Sequence, residues 1–557
     1  MRRKMILPLL LLSCKITFSF PEKIINAHPW EPVEITLQAN SFYQNSYTET
    51  TVENGEPYLI ANFECNSCKV KSLIVPGFWD GNKVWKIRFS APEPGTWNYT
   101  THSKDKGLNG KKGTLSIVAW SEAEKQQDPC RRGFIVVNDQ SPRAGRYFIY
   151  ADGTPFLWIG DTWWNWTKKE IAFDIYKNLV DTRATQGFSV GQLFFPGNGW
   201  GSSSCMLDST YSVPDLDHIR RTEEMIRYAN EKGITVWIHA WWCRKNMDRT
   251  IGPEKIIRWW KYVVDRLSAY NVVWVLAGEY NMYDYGSLGL NFWNRLGSIV
   301  ENEDPYQRII SVHPTPPGWD GGDEAPQWST ADVIHDQPWL KYNQSQVGHG
   351  KWRNEMIPLV VRSAYQKNPA KPIVVTEPWY EFIDGNPSAM DIRFGAWSAI
   401  LSGAAGHTYG GGHVWRAHVA GSPAGGDAWP LEKNLEVNTL VYPGAQSIGF
   451  LSKFLRSIDW WKLEPHPELV IDNPSRYCSA DLGKEYLVYL RYGGRAEIDL
   501  TGTSPGDNFS AAWIDLTSGK VAKKQTLQGG QLAVLDIPED YPGALNYKDW
   551  LIHLKKQ

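Results

Sequence analysis

The sequence carries almost no net charge, with 58 Lys and Arg against 60 Asp and Glu for a formal −2. A balance this even leaves no basic footprint for nucleic acid or an anionic membrane surface. Cysteine is scarce as well, seven in 557 residues and widely scattered, which excludes a disulfide-dense scaffold. Cys65-Asn66-Ser67-Cys68 has CxxC spacing, but no second pair or nearby His completes a zinc site. A local disulfide or two plain thiols remain. Beyond the first twenty residues no run approaches the roughly twenty apolar residues that a membrane-spanning helix requires. A glycine-rich phosphate fingerprint after the first central strand is also missing, which argues against a dinucleotide-binding sheet.

What is abundant is aromatic, with 29 tryptophans and 26 tyrosines. Indole and phenol rings give a sugar an apolar face to stack on and a polar edge to meet its hydroxyls. Most of them fill cores, so only clusters at strand ends carry functional weight. Residues 1–20 read as an export signal, basic Met1-Arg2-Arg3-Lys4 followed by a short apolar stretch. Leu11-Leu12-Ser13-Cys14 resembles a bacterial lipobox, which would leave a lipid on Cys14 as the one route to membrane attachment. An ordinary signal peptide cut near Phe18 to Phe20 is the alternative. Either way the expected location is secreted, periplasmic or on the bacterial cell surface.

Three regions follow. Residues 28–120 alternate apolar and polar side chains in short runs split by turns such as Asp80-Gly81-Asn82 and Asn109-Gly110, the pattern of an all-β sandwich. Residues 133–456 alternate strand-like runs with helical periods, and residues 457–557 return to short alternating runs, as in Tyr486-Leu487-Val488-Tyr489-Leu490. Eight candidate strands in the middle region end at Asp161, Phe195, Trp241, Glu279, His313, Asp336, Glu377 and His407. Eight β/α alternations predict an α/β fold, a (β/α)8 TIM barrel, flanked by N- and C-terminal β-sandwiches.

Two of those strands end in glutamate, Val272 to Glu279 and Pro372 to Glu377. Functional groups of such barrels sit at the C-terminal ends of the strands, and strands four and seven face one another across the mouth. A pair of carboxyls there points to glycosidic bond cleavage, which needs one acid for the leaving oxygen and one carboxylate for the anomeric carbon or for water. Gly278 is expected to allow a tight turn beside Glu279 and a close approach of ligand to backbone. Asp161, Trp163, His239, Trp241, Asn281, His335, Trp379, Tyr380 and His407, all at or near strand ends, are the candidate sugar-binding groups. No cofactor or metal is expected.

The run Tyr150 to Trp163, the segments Arg183-Ala184-Thr185-Gln186-Gly187-Phe188, Trp274 to Glu279 and Thr376 to Glu381, and Asp391 through Gly410 together resemble the apiosidase-like barrel family of glycoside hydrolases. Gly77-Phe78-Trp79-Asp80-Gly81 and Pro94-Gly95-Thr96-Trp97 resemble the β-sandwich often found ahead of such barrels, and Ala512-Trp513-Ile514-Asp515 with Asp549-Trp550-Leu551 resemble a C-terminal domain carried under an old collagen-binding label. The resemblance implies Glu377 as nucleophile and Glu279 as acid/base. The apiosidase pattern has Asp where this chain has Glu279, and the added methylene implies a differently placed sugar.

Two rival readings are weighed against this one. A metal-dependent barrel hydrolase would use His239, His313, His335 and Asp336, but it calls for a His-x-His pair on the first strand, where Asp161 and two tryptophans stand. A non-catalytic carbohydrate-binding or adhesion protein would keep the aromatic mouth and lose the chemistry.

Overall fold

The computed structural model describes residues 24–42, 47, 58–195, 204–243, 246–282, 286–318, 327–419, 438–536 and 548–557. The leader and Cys14 lie outside them. Eight parallel strands form one sheet in barrel order: β1 (Trp158–Trp163), β2 (Val190–Phe194), β3 (Thr235–His239), β4 (Val272–Val275), β5 (Ile310–Ser311), β6 (Asn343–Gln346), β7 (Ile373–Glu377) and β8 (Gly406–Tyr409). β8 pairs with β1, and the seam between β5 and β6 is drawn together by Lys341 N–H to Ile310 O (2.9 Å) and Ser311 Oγ to Tyr342 O (2.8 Å). Among the described residues seven long helices surround it: α1 (Phe173–Gln186), α2 (Leu216–Glu231), α3 (Pro253–Leu267), α4 (Leu290–Glu303), α5 (Lys351–Tyr365), α6 (Ala389–Leu401) and α7 (Pro443–Leu455). Among the described residues the β5–β6 crossover has only a 3₁₀ turn, Thr330–Asp332.

Local sequence explains the elements. α6 begins at a capping box in which Ser388 and Asp391 satisfy each other's backbone N–H groups, and Gly187, left-handed at φ 94°, ends α1. Apart from the sixth, the strands are largely apolar on both faces because the inside of the barrel packs Trp158, Val190, Trp237, Val273, Tyr342 and Val374, while the outside meets the helices. A three-stranded antiparallel sheet, Ile135–Val137, Phe148–Tyr150 and Pro155–Phe156, shares that interior cluster and covers the N-terminal end of the barrel.

The sixth strand departs from the sequence expectation. It is Asn343–Gln346, not a segment ending at Asp336, and its Asn-Gln-Ser-Gln sequence offers no apolar run to detect. Buried amides are tolerated there because each finds partners: Asn343 with Thr330 and His335, Gln344 with Tyr342 and His313, Ser345 with the Trp328 carbonyl.

The flanking regions are all-β. Among the described residues seven N-terminal strands between Ile24 and Ile117 form one sheet around Phe63, Trp85, Phe89 and Trp97, with Cys65 and Cys68 disulfide-bonded in the turn between Leu59–Glu64 and Ser72–Trp79. The C-terminal region has a six-stranded and a three-stranded sheet sharing one apolar cluster. Both regions are bolted to the barrel by buried ion pairs. Arg88 of the N-terminal sheet and Arg266 of α3 clasp Glu223 of α2, and Arg393 of α6 holds Asp549 through two bonds of 2.7 Å.

Candidate functional site

Glu279 and Glu377 meet at the C-terminal end of the barrel. Glu377 is the last residue of β7, and Glu279 lies just past β4, where the chain keeps touching β3 and β5 through Gly278 N–H to Trp241 O and His313 N–H to Ala277 O. Both side chains are buried, about nine-tenths hidden from solvent.

Each carboxyl has its own partners. Glu377 Oε2 accepts from His313 Nε2 at 3.1 Å, and Oε1 from His349 Nε2 at 3.3 Å. His349 Nδ1 in turn faces the Tyr380 N–H, and His313 Nδ1 faces Thr376 Oγ1, so both rings are held in orientation. Glu279 Oε2 accepts from the Trp242 indole at 3.1 Å, and Oε1 from the Gln346 amide at 3.4 Å. Burial raises Glu279 to about 7, and the neighbouring Glu377 charge adds to the rise. Burial acts on Glu377 too, but the hydrogen bonds and charges of His313 and His349 outweigh it and hold that carboxyl at about 2. Between those values one group keeps its proton while the other is ionised, the division of labour that acid/base chemistry at an acetal requires.

Gly278 has a different part from the one the sequence suggested. The Trp242 ring lies flat against it, and a Cβ at residue 278 would sit 1.7 Å from the indole. The left-handed backbone falls on Glu279 itself, at φ 50°, a strained conformation for a branched-free but bulky side chain that turns it into the mouth.

The mouth is aromatic. Trp164, Phe194 and Trp242 form one cluster, Trp379, Tyr380 and Ile383 another, and Trp415 packs against both. Tyr380 lies over His349 with ring centroids 4.6 Å apart, and its hydroxyl accepts from Thr162. His239 is fully buried beneath them, 4.7 Å from Trp164 and 5.7 Å from His313 by ring centroids, and burial depresses its basicity strongly.

Of the nine candidate sugar-binding residues, His239, Trp379 and Tyr380 belong to this mouth. The Trp379 indole is spent on the Ile383 and Asp384 carbonyls, and Asn281 on the backbone of Thr315, which ties the loops after β4 and β5 together. The other five face elsewhere. Asp161 points at the helix layer and pairs with Arg183 of α1 at 2.6 Å, and Trp163, donating to the same carboxylate at 2.7 Å, packs on Tyr176. Trp241 bonds Asp248 on the outside of the barrel. His407, between the inward Gly406 and Thr408, lies against α5 and α6 beside Asn354, Ile392 and Gly395. His335 sits at the opposite end, bonding the carbonyl of Pro369 ahead of β7, so it joins neither a sugar site nor a metal site with His239 and His313. Among the described residues no group of three His, Cys, Asp or Glu is arranged to hold a metal ion.

Sequence reasoning selected the first tryptophan of each pair, and the mouth uses the second: Trp164 and Trp242 face inward, Trp163 and Trp241 outward. Gln346 and His349 were missed because they sit on and after the polar sixth strand. The one available signal was a histidine between two glycines, Gly348-His349-Gly350.

Comparisons with known proteins bear on the family and the barrel fold. The family described as apiosidase-like, catalytic domain, matches residues 142–462, and a domain of unknown function (DUF5060) matches residues 26–104. A family 5 glycoside hydrolase of Bacteroides vulgatus is 19% identical over 77% of this chain and 95% of its own, with a TM-score of 0.64. A candidate glycoside hydrolase from the same organism is 18% identical over 96% of this chain and 100% of its own, with a TM-score of 0.70. A further solved glycoside hydrolase is 20% identical over 77% of this chain and 98% of its own, with a TM-score of 0.63. No curated relative matches the sequence.

Proposed function

Because the chain belongs to the apiosidase-like family and is a glycoside hydrolase, we propose that it cleaves a glycosidic bond in a complex plant or algal polysaccharide with retention of anomeric configuration. Ionised Glu377 attacks the anomeric carbon while Glu279 passes its proton to the departing oxygen, giving a glycosyl ester on Glu377. Glu279, now a carboxylate, takes a proton from water as that water attacks the anomeric carbon and releases Glu377. His313 and His349 aim the nucleophile, and Trp242 with Gln346 holds the acid.

The observation that carries this reading is the split between two buried carboxyls of one site, about 7 and about 2. Pectin, arabinogalactan and marine polysaccharides, incubated with wild type and with Glu279→Gln and Glu377→Gln variants, provide the test. Sugar release by wild type alone, with the first-formed anomer matching the substrate by NMR, supports it. A wild type that binds glycans and releases nothing sinks the catalytic reading, and an inverted anomer sinks the nucleophile role. Export, as a lipoprotein on Cys14 or a soluble secreted protein, is part of the same proposal and is read by fractionation and metabolic lipid labelling.

A further inference from the structure

The rim of the mouth above β6 presents an indole that the mechanism does not use. Trp352 is the second residue of α5 and is 58% exposed, although it is among the largest apolar side chains in the protein. It stands three residues after His349, which touches Glu377, so the chain between them spans no more than about 11 Å. A lone surface tryptophan needs no explanation, but this one is held. The Arg353 guanidinium lies 4.6 Å from its ring centroid, and the Trp328 ring meets its edge at 5.9 Å and 88°. Arg353 is itself buried and fixed by the carbonyls of Val347 and Pro317, at 3.2 and 2.8 Å. With one face on Arg353, the exposure of the indole falls on its other face and outer edge. An aromatic face fixed in advance and left open to water binds at low entropic cost whatever stacks on it.

We propose that Trp352 is an outer sugar platform that continues the cleft past the catalytic pair on the β6 side. The substrate is then a chain with sugar units beyond the scissile bond on that side, not a single sugar on a small leaving group. This rests on the glycosidase reading above and deepens it. What the site leaves open is an indole face, so the platform selects for the apolar face of a pyranose or furanose ring.

The test separates the two proposals. Glu377→Gln protein, and the same protein carrying Trp352→Ala or Trp352→Phe, are run in native gels containing pectin, arabinogalactan or laminarin, while wild type is assayed separately for sugar release from each. The expected result is retardation of the Glu377→Gln protein by at least one polysaccharide, weakened about tenfold by Ala and largely kept by Phe. Equal retardation of all three, or no retardation in any gel, overturns the platform. Wild-type hydrolysis with Trp352-independent binding defeats this inference alone, whereas an inert wild type defeats the function itself. Thermal melts unchanged by Trp352→Ala and Trp352→Phe establish that any loss of binding is local.

Discussion

Glu223 and Glu279 are both buried glutamates, and they behave in opposite ways. At the junction between the N-terminal sheet and the barrel, Glu223 receives four hydrogen bonds of 2.6–3.0 Å from Arg88 and Arg266, and those two permanent charges overcome burial and hold it at about 2. Asp80 accepts from Arg266 as well, and the Phe78 ring lies 4.8 and 4.5 Å from the Arg88 and Arg266 guanidiniums. At the mouth Glu279 has only an indole and an amide, and burial carries it to about 7. Desolvation opposes the charge in both places, so the partner decides the state. The structural carboxylate is over-satisfied, and the proposed acid is left short of donors.

Four experiments can break or sharpen that contrast. The largest effect is expected from Glu377→Gln, which removes the ionised group and should lower kcat/KM about ten-thousandfold with little change in melting. Residual activity above a hundredth of wild type would exclude Glu377 as nucleophile. Next, Glu223→Ala strands two buried guanidiniums and should cost roughly 3–5 kcal/mol in denaturant unfolding of the N-terminal region, with kcat unchanged. Acid should reproduce part of this loss: the stability Glu223 supplies is present above its ordinary 4.5 and disappears as pH falls toward 2.

Glu279→Gln should do the reverse. The folded protein holds the Glu279 proton up to about 7 while the unfolded chain releases it near 4.5, so the wild type loses stability as pH rises through that interval. The variant should therefore match wild type at pH 4 and exceed it by roughly 3 kcal/mol at pH 8, while losing activity. An equal difference between variant and wild type at both pH values would show that folding does not raise the Glu279 pKa. The smallest effect belongs to Trp242→Phe. Wild-type kcat/KM should fall on the acid side near 2, as Glu377 is protonated, and on the basic side near 7, as Glu279 ionises. Removing the indole hydrogen bond disfavours the Glu279 carboxylate and should move the basic limb upward by about half a pH unit. A downward shift would contradict the contact.

Much of the architecture was legible in the sequence because seven of the eight barrel strands are apolar runs with polar ends. Glu279 and Glu377 stood out for that reason. The sixth strand was not legible, since Asn343–Gln346 is stabilised by side-chain hydrogen bonds that leave no periodicity. Facing direction was lost as well. Strands buried on both sides carry no alternation, so nothing in Asp161-Thr162-Trp163-Trp164 says that the odd positions meet helices and the even ones the interior. The same ambiguity displaced His407 and Trp241. His335 went astray with the misplaced strand, and Gln346 and His349 were hidden by it.

The contact between Trp242 and Gly278 reaches into the history of the protein. With the indole only 1.7 Å from where a methyl would begin, position 278 cannot gain a side chain while Trp242 stays. A descendant that gained any side chain at 278 would first have to surrender the ring that donates to Glu279. The dependence runs one way: the glycine can be replaced only after the tryptophan has given way, whereas the tryptophan can shrink beside an unchanged glycine.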